Sequence, residues 1–144
     1  MGGAELSSHL ERFALESRGD VVEVGSWMGA GTVALARGIS KTNNSLYVYD
    51  RWRATEDEVR KAQAAGATIG LSEDLLPQVR RRVEKITPNA HFIQGEILDA
   101  KYSGSPIGLY VDDAAKTEKL FRYVTGLFAP LCWVWSRKYH FNAR

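Results

Sequence analysis

The chain contains 144 residues, of which 44% are hydrophobic and 25% are charged, a balance that suits one soluble domain with a packed core. Its formal net charge of +2 is too small to indicate a nucleic-acid partner, and no apolar run approaches the roughly 18 residues that a membrane span requires. The single cysteine, Cys132, excludes a disulfide framework and a cysteine-based zinc cluster. A reducing compartment fits this composition, and no secretory signal pattern is visible, so we expect a cytoplasmic protein.

Helical and strand-like patterns alternate along the chain. Leu6, Leu10 and Phe13 recur at helical spacing and predict a helix within residues 1–19. The β-branched run at 21–24 is typical of a buried parallel strand. Similar patterns predict strands at 46–49, 91–93, 107–111 and 131–135, and helices at 32–39, 56–65, 75–86 and 119–128.

Strands that are separated by helices pair in parallel through right-handed crossovers. We therefore predict an α/β fold with a Rossmann-like doubly wound sheet, mostly parallel, of about five strands with helices on both faces. Residues 1–144 are interpreted as a single domain, with 136–144 as a tail. In such sheets, ligands bind beyond the carboxyl ends of the strands.

A glycine-rich loop follows the first predicted strand. Gly25, Gly29 and Gly31 allow a ligand to approach the backbone closely, and the next helix begins nearby with free N–H groups. Asp50 ends the second predicted strand about 20 positions after Gly31, where a carboxylate can accept hydrogen bonds from both hydroxyls of a ribose. These four residues indicate a nucleoside-containing ligand. By themselves they do not distinguish NAD from S-adenosylmethionine.

The sequence at 21–32, Val-Val-Glu-Val-Gly-Ser-Trp-Met-Gly-Ala-Gly-Thr, resembles motif I of class I S-adenosylmethionine-dependent methyltransferases. In that motif an acidic residue, here Glu23, precedes the first glycine, and dinucleotide-binding folds usually lack it. Residues 22–26 with Gly31 and Thr32 look most like the macrocin-type O-methyltransferases. Residues 47–52, 92–96 and 107–113 resemble the later strand ends of the same family, so the likeness covers about 21–131.

The resemblance implies a methyltransferase that uses S-adenosylmethionine and transfers its methyl group to a small hydroxylated, sugar-like acceptor. In the loop, it implies cofactor contacts for Glu23, Gly25, Ser26, Trp27, Gly29, Gly31 and Thr32. Later in the chain, it places Asp50 at the ribose, Arg51 and Trp52 beside the adenine, and Gly95 and Glu96 near the adenine amino group. It also places Asp112 beside the transferred methyl, where it accepts the proton of the acceptor hydroxyl or helps to hold a divalent metal such as Mg²⁺.

The chain departs from this family after the fourth predicted strand. Asp-Asp-Ala-Ala at 112–115 stands where family members often have Asp-Gly-Asp-His, so no histidine base is present there. Pro-Leu-Cys at 130–132 and Ser-Arg-Lys at 136–138 replace a usual Pro-Gly-Gly and a later aspartate pair. The remaining tail is also too short for the last two strands of a seven-stranded sheet.

Two alternatives to a methyltransferase therefore stay open. One is a truncated or diverged domain that binds the cofactor without turnover, and the other is an NAD-binding oxidoreductase domain, against which Glu23 argues. The aromatic edge at 131–135 predicts either a cover formed by the tail or a contact between two copies of the chain.

Overall fold

The computed structural model describes residues 3–132, which form a parallel β-sheet with helices on both faces. The strands are β1 (Asp20–Val24), β2 (Leu46–Asp50), β3 (Ala90–Gln94) and β4 (Ile107–Asp112). The helices are α1 (Ala4–Glu16), α2 (Ala30–Ile39), α3 (Glu56–Ala64), α4 (Leu76–Val83) and α5 (Glu118–Phe128). Two short 3₁₀ turns cover Ile97–Asp99 and Ala129–Leu131. The predicted α/β class and parallel pairing are confirmed.

Strand β1 lies in the interior of the sheet, whose order is β3-β2-β1-β4. All five of its residues are buried, as expected for a β-branched strand that is covered on both faces. Val24, its last residue, is in register with Tyr49 of β2 and with Asp112 of β4. The loops that follow these three strands therefore start side by side at one edge of the sheet.

The sheet separates two hydrophobic cores. Val21 and Val48 face one side, where Leu35 of α2 and Val79 of α4 pack with them. Val22 and Val24 point to the opposite side, toward Phe128 of α5, because successive side chains alternate across a strand. This division confirms helices on both faces. None of the helices in residues 3–132 is both long and apolar enough to cross a bilayer.

The predicted count of about five strands is corrected to four within the described residues. Leu131, the first residue of the expected fifth strand, lies in a 3₁₀ turn that contains Pro130, whose fixed φ suits the start of a helical turn. Cys132 forms one isolated parallel bridge with Ile107. Residues 133–135 and the tail at 136–144, with the contact between copies predicted there, lie outside the described residues.

The segment 51–75 between β2 and α4, which we call the excursion, lies at the carboxyl edge of the sheet. Its two ends pair through three backbone hydrogen bonds, from Ala54 N to Glu73 O at 3.1 Å, from Ser72 N to Ala54 O at 2.8 Å and from Leu75 N to Trp52 O at 2.9 Å. Helix α3 lies within this closed stem. The excursion is held against the sheet because its buried residues Trp52 and Ala62 belong to the core that packs against α2 and α4, which we call the α2–α4 core.

Candidate functional site

A cavity of about 470 Å³ lies at the carboxyl edge of the sheet, where the loops after all four strands meet. Its volume is within the range of pockets that bind small molecules. Among the residues named from the sequence, those that line it are Gly25, Trp27, Asp50, Arg51, Gly95 and Glu96. The sequence thus identified at least one residue of the cavity wall at the end of each of the strands β1, β2 and β3.

Gly25 brings the first loop directly against the turn that follows β4. Its φ of +91° is in the region that favours glycine, and a Cβ at this position would lie 2.9 Å from both the Cβ and the backbone N of Ala114. The Gly25 amide also donates to the carbonyl of Tyr49 at 2.9 Å. A side chain at position 25 would push the two loops apart at the cavity wall.

The amino-terminal end of α2 is covered by α4. A Cβ on Gly29, the residue before α2, would lie 2.7 Å from a methyl group of Val79. The Arg82 guanidinium of α4 donates to the carbonyl of Met28 in the same loop. Gly29 and Gly31 do not line the cavity, so their small size serves packing beneath the loop rather than the cavity wall itself.

Asp50 organises the glycine-rich loop. Its Oδ2 accepts the backbone N–H groups of Ser26 at 2.7 Å and Trp27 at 2.8 Å, and its Oδ1 accepts that of Trp52 at 2.6 Å. Trp27 and Trp52 have φ values of +47° and +46°, which are uncommon for bulky residues. The carboxylate therefore stabilises two backbone turns at the point where β2 ends.

Glu23 lies behind the loop and not on the cavity wall. It is 3% exposed, its Oε2 accepts a hydrogen bond from the Thr32 hydroxyl, and that hydroxyl is 2.6 Å from the hydroxyl of Ser26. Burial raises the pKa of Glu23 from 4.5 to about 8; the Thr32 hydrogen bond lowers it, and the nearby Asp50 and Asp113 raise it further. Glu23, Ser26 and Thr32 together form a buried polar network under the loop.

The two tryptophans of the sequence prediction occupy different environments. Trp27 lines the cavity, whereas Trp52 is 1% exposed and packs against Phe92, with ring centroids 5.9 Å apart. Both indole N–H groups are buried without a hydrogen-bond partner among the described residues. The structure therefore places Trp52 in the α2–α4 core, whereas Trp27 packs partly against the same core and also contributes to the cavity wall.

Asp112 supports the turn after β4. Its Oδ1 accepts the backbone N–H groups of Ala114 and Ala115, each at 3.0 Å, and the neighbouring Asp113 is the one that lines the cavity. Within residues 3–132, no group of three His, Cys, Asp or Glu side chains is arranged to hold a metal ion. Asp112 consequently has no described partner for the metal role inferred from the resemblance.

Several wall residues were not identified from the sequence. They are Val24, Tyr49, Glu58, Ile97, Leu98, Asp113, Ala114, Lys116, Thr117, Lys119 and Leu120. Glu58 comes from α3, in a polar segment without clear periodicity. Its spacing from Thr55 fits a capping box, which is the local signal that could have singled it out within the predicted helix. The loop residues after β4 have no local motif, because only the strand order brings them to the cavity.

The cavity wall combines charges of both signs with apolar surface. Arg51, Lys116 and Lys119 supply positive charge. The negative charge comes from four carboxylates, those of Asp50, Glu58, Glu96 and Asp113. Lys116 is partly neutralised because its ammonium lies 2.7 Å from the carbonyl oxygen of Asp113 and 3.3 Å from its carboxylate. This mixture suits a polar ligand that carries both charges better than a polyanion.

Comparisons of the sequence with protein-family models and with curated proteins find no matching family and no matching relative.

Proposed function

We propose that the protein binds S-adenosylmethionine in this cavity and transfers its methyl group to a small hydroxylated, sugar-like acceptor. The observation that carries the proposal is the meeting of four strand-end loops around one cavity of about 470 Å³, with Gly25, Asp50 and Glu96 on its wall. Doubly wound sheets bind nucleoside-containing ligands at this edge. The motif I resemblance supplies the choice of cofactor.

The wall has surfaces that match the parts of this cofactor. Ile97, Leu98 and Leu120 offer apolar surface for the adenine ring, and Glu96 stands beside them as an acceptor for its amino group. The carboxylate of Asp113 can face the cofactor's ammonium or sulfonium, and Arg51 or Lys119 its carboxylate. The bound cofactor would supply a methyl group that is already activated on a sulfonium sulfur, so the protein mainly aligns the reactants.

The geometry of α2 favours this cofactor over NAD. Dinucleotide-binding folds place the pyrophosphate at the amino end of the helix after the first strand. Here Val79 packs against Gly29 and Arg82 binds the carbonyl of Met28, so α4 lies over that end. A sulfonium amino acid tail does not require this helix end to be open.

Asp112 is the proposed base for the acceptor hydroxyl. Its two backbone hydrogen bonds both involve Oδ1, so Oδ2 is the oxygen proposed to accept the proton. Asp113, the next residue, faces the cavity and would orient the acceptor or the cofactor. The alternative raised by the departures after β4 is that the domain binds the cofactor without turnover, in which case the wild-type protein would bind the cofactor but transfer no methyl group.

Isothermal calorimetry with S-adenosylhomocysteine and with NADH, on the full chain, tests the choice of cofactor. We expect heat with the first ligand and none, or much weaker binding, with the second. Preference for NADH would overturn the proposal, and so would the absence of binding to either. A methyl-transfer assay with radiolabelled cofactor and a panel of sugars then tests turnover, in which Asp112→Asn should lose activity and the exposed control Asp99→Asn should retain it.

A further inference from the structure

Four carboxylates line the cavity, and their hydrogen bonds decide which of them is available to a ligand. Asp50 already accepts three backbone N–H groups, out of about four lone-pair positions that a carboxylate offers. Asp113 interacts with Lys116, and Glu96 is exposed at the end of β3. The fourth carboxylate, Glu58 of α3, is half-buried.

Glu58 is fixed by one of its two oxygens. Its Oε2 accepts hydrogen bonds from the backbone N–H and the hydroxyl of Thr55, both at 2.8 Å, which completes the capping box of α3. Within residues 3–132, its Oε1 accepts no hydrogen bond. A carboxylate held in this way has little side-chain freedom left to lose when its second oxygen binds a ligand.

We propose that Glu58 accepts a hydrogen bond from a ribose hydroxyl of the nucleoside ligand through Oε1, and that Asp50 instead holds the loops around it. Asp50 is the last residue of β2, Glu58 follows it in the excursion, and both line the same cavity. The excursion therefore supplies in Glu58 an acceptor in place of Asp50, whose carboxylate is already occupied by backbone N–H groups. This inference rests on the proposed function because it requires a nucleoside in the cavity. It makes the excursion part of ligand recognition.

The test compares Glu58→Gln with Glu56→Gln. Glutamine can complete a capping box as glutamate does, so Glu58→Gln should keep α3 intact while it turns an NH₂ group, instead of an acceptor, toward the cavity. Glu56 lies in the same first turn of α3 and is exposed outside this cavity, so its substitution removes the same charge at nearly the same distance from the helix end. Thermal unfolding of both variants should match that of the wild type.

Calorimetry with S-adenosylhomocysteine and its 2′-deoxy and 3′-deoxy analogues provides the readout. We expect Glu58→Gln to bind S-adenosylhomocysteine about 10-fold more weakly than Glu56→Gln, as for loss of a hydrogen bond to a charged acceptor. Removing the contacted hydroxyl should weaken binding to the wild type by a similar factor and to Glu58→Gln hardly at all. In Asp50→Asn the dependence on that hydroxyl should persist.

Two different outcomes would count against the inference. If Glu58→Gln and Glu56→Gln bind S-adenosylhomocysteine equally well, or if only Asp50→Asn loses the dependence on the hydroxyl, the ribose contact is not made by Glu58 while the proposed function stands. If the wild-type protein binds none of the three ligands, the proposed function fails and the role of Glu58 fails with it.

Discussion

The Oδ2 atom of Asp50 accepts the backbone N–H of Trp27 at 2.8 Å and thereby ties the end of β2 to the glycine-rich loop after β1. The same carboxylate binds the amides of Ser26 and Trp52, so two turns of backbone depend on one side chain. A buried N–H that loses a charged acceptor has no equivalent replacement. This relationship makes Asp50 a residue on which the shape of the cavity depends.

Asp50→Asn should destabilise the protein and loosen the loop. The amide keeps one acceptor oxygen and turns an NH₂ group toward backbone donors, so we expect a loss of about 1–3 kcal/mol in the free energy of unfolding. Denaturant unfolding measures the loss, and hydrogen exchange should show faster exchange at the Ser26 and Trp27 amides. Asp99→Asn, at an exposed carboxylate on a 3₁₀ turn, is the control and should change neither. Equal stability of the two variants would contradict the role given to Asp50.

Gly25→Ala should be strongly destabilising, whereas Gly126→Ala should not. At position 25 the new Cβ meets Ala114 at 2.9 Å and the backbone has a φ of +91°, so the loop has to move away from the turn after β4. At position 126, within α5, no atom of another element lies within 4 Å of an added Cβ, and alanine favours the helix by about 1 kcal/mol.

Thermal unfolding of the two glycine variants, with calorimetry of S-adenosylhomocysteine binding, checks this contrast. We expect a lower Tm and weaker binding for Gly25→Ala, and an equal or higher Tm with unchanged binding for Gly126→Ala. If both variants behave alike, the close approach of the two loops is not needed for the cavity.

The buried Glu23 should make stability depend on pH. Because its pKa is about 8 in the folded protein and near 4.5 in the unfolded chain, the folded state binds the extra proton between these values. The contribution of Glu23 is therefore greatest below pH 4.5 and is lost as the pH rises to about 8. Glu23→Gln mimics the protonated side chain and should remove this dependence.

The measurement for Glu23 is the difference in unfolding free energy between wild type and Glu23→Gln at several pH values. We expect the wild type to lose stability relative to the variant between pH 5 and pH 8. The exposed control Glu16→Gln should track the wild type throughout. A difference that stays constant over this range would mean that Glu23 is ionised in the folded protein.

The two loop tryptophans should respond differently to ligand. Trp27 lines the cavity, so Trp27→Phe should weaken binding of S-adenosylhomocysteine several-fold and remove most of the ligand-induced change in fluorescence. Trp52 lies in the core against Phe92, so Trp52→Phe should lower stability but keep both the affinity and the fluorescence change. Titrations followed by fluorescence distinguish them, and loss of the signal only in Trp52→Phe would reverse the assignment.

Much of the fold could be predicted because its strands are locally encoded. The run at 21–24 is β-branched and ends at a glycine turn, and β1 was found at Asp20–Val24. The bounds of α3 and α5 were also predicted to within a residue. The expected fifth strand was wrong at its first residue, because the hydrophobic pattern at 131–135 gives no sign that Leu131 ends a 3₁₀ turn that starts at Ala129.

The candidate site was harder to predict, since its contacts join distant parts of the chain. Asp50 could be placed at the end of a strand, but the sequence does not show that the amides of Ser26 and Trp27 approach it. Similarly, a β-branched strand with an acidic residue does not reveal that Glu23 is enclosed behind the loop. Glu58 and Lys119 reach the cavity only through the excursion and the strand order.

The strand order also decides how the cavity is closed. β3 and β4 are the outermost strands of the described sheet, so three spacings of about 4.8 Å separate their ends by roughly 14 Å. The elements that follow these two strands nevertheless meet, because α5 contacts the 3₁₀ turn after β3. Leu98 and Leu120 therefore supply one apolar side of the cavity from two distant parts of the chain. A ligand held there touches both elements at once, so its binding should tie the two outer strands of the sheet to each other.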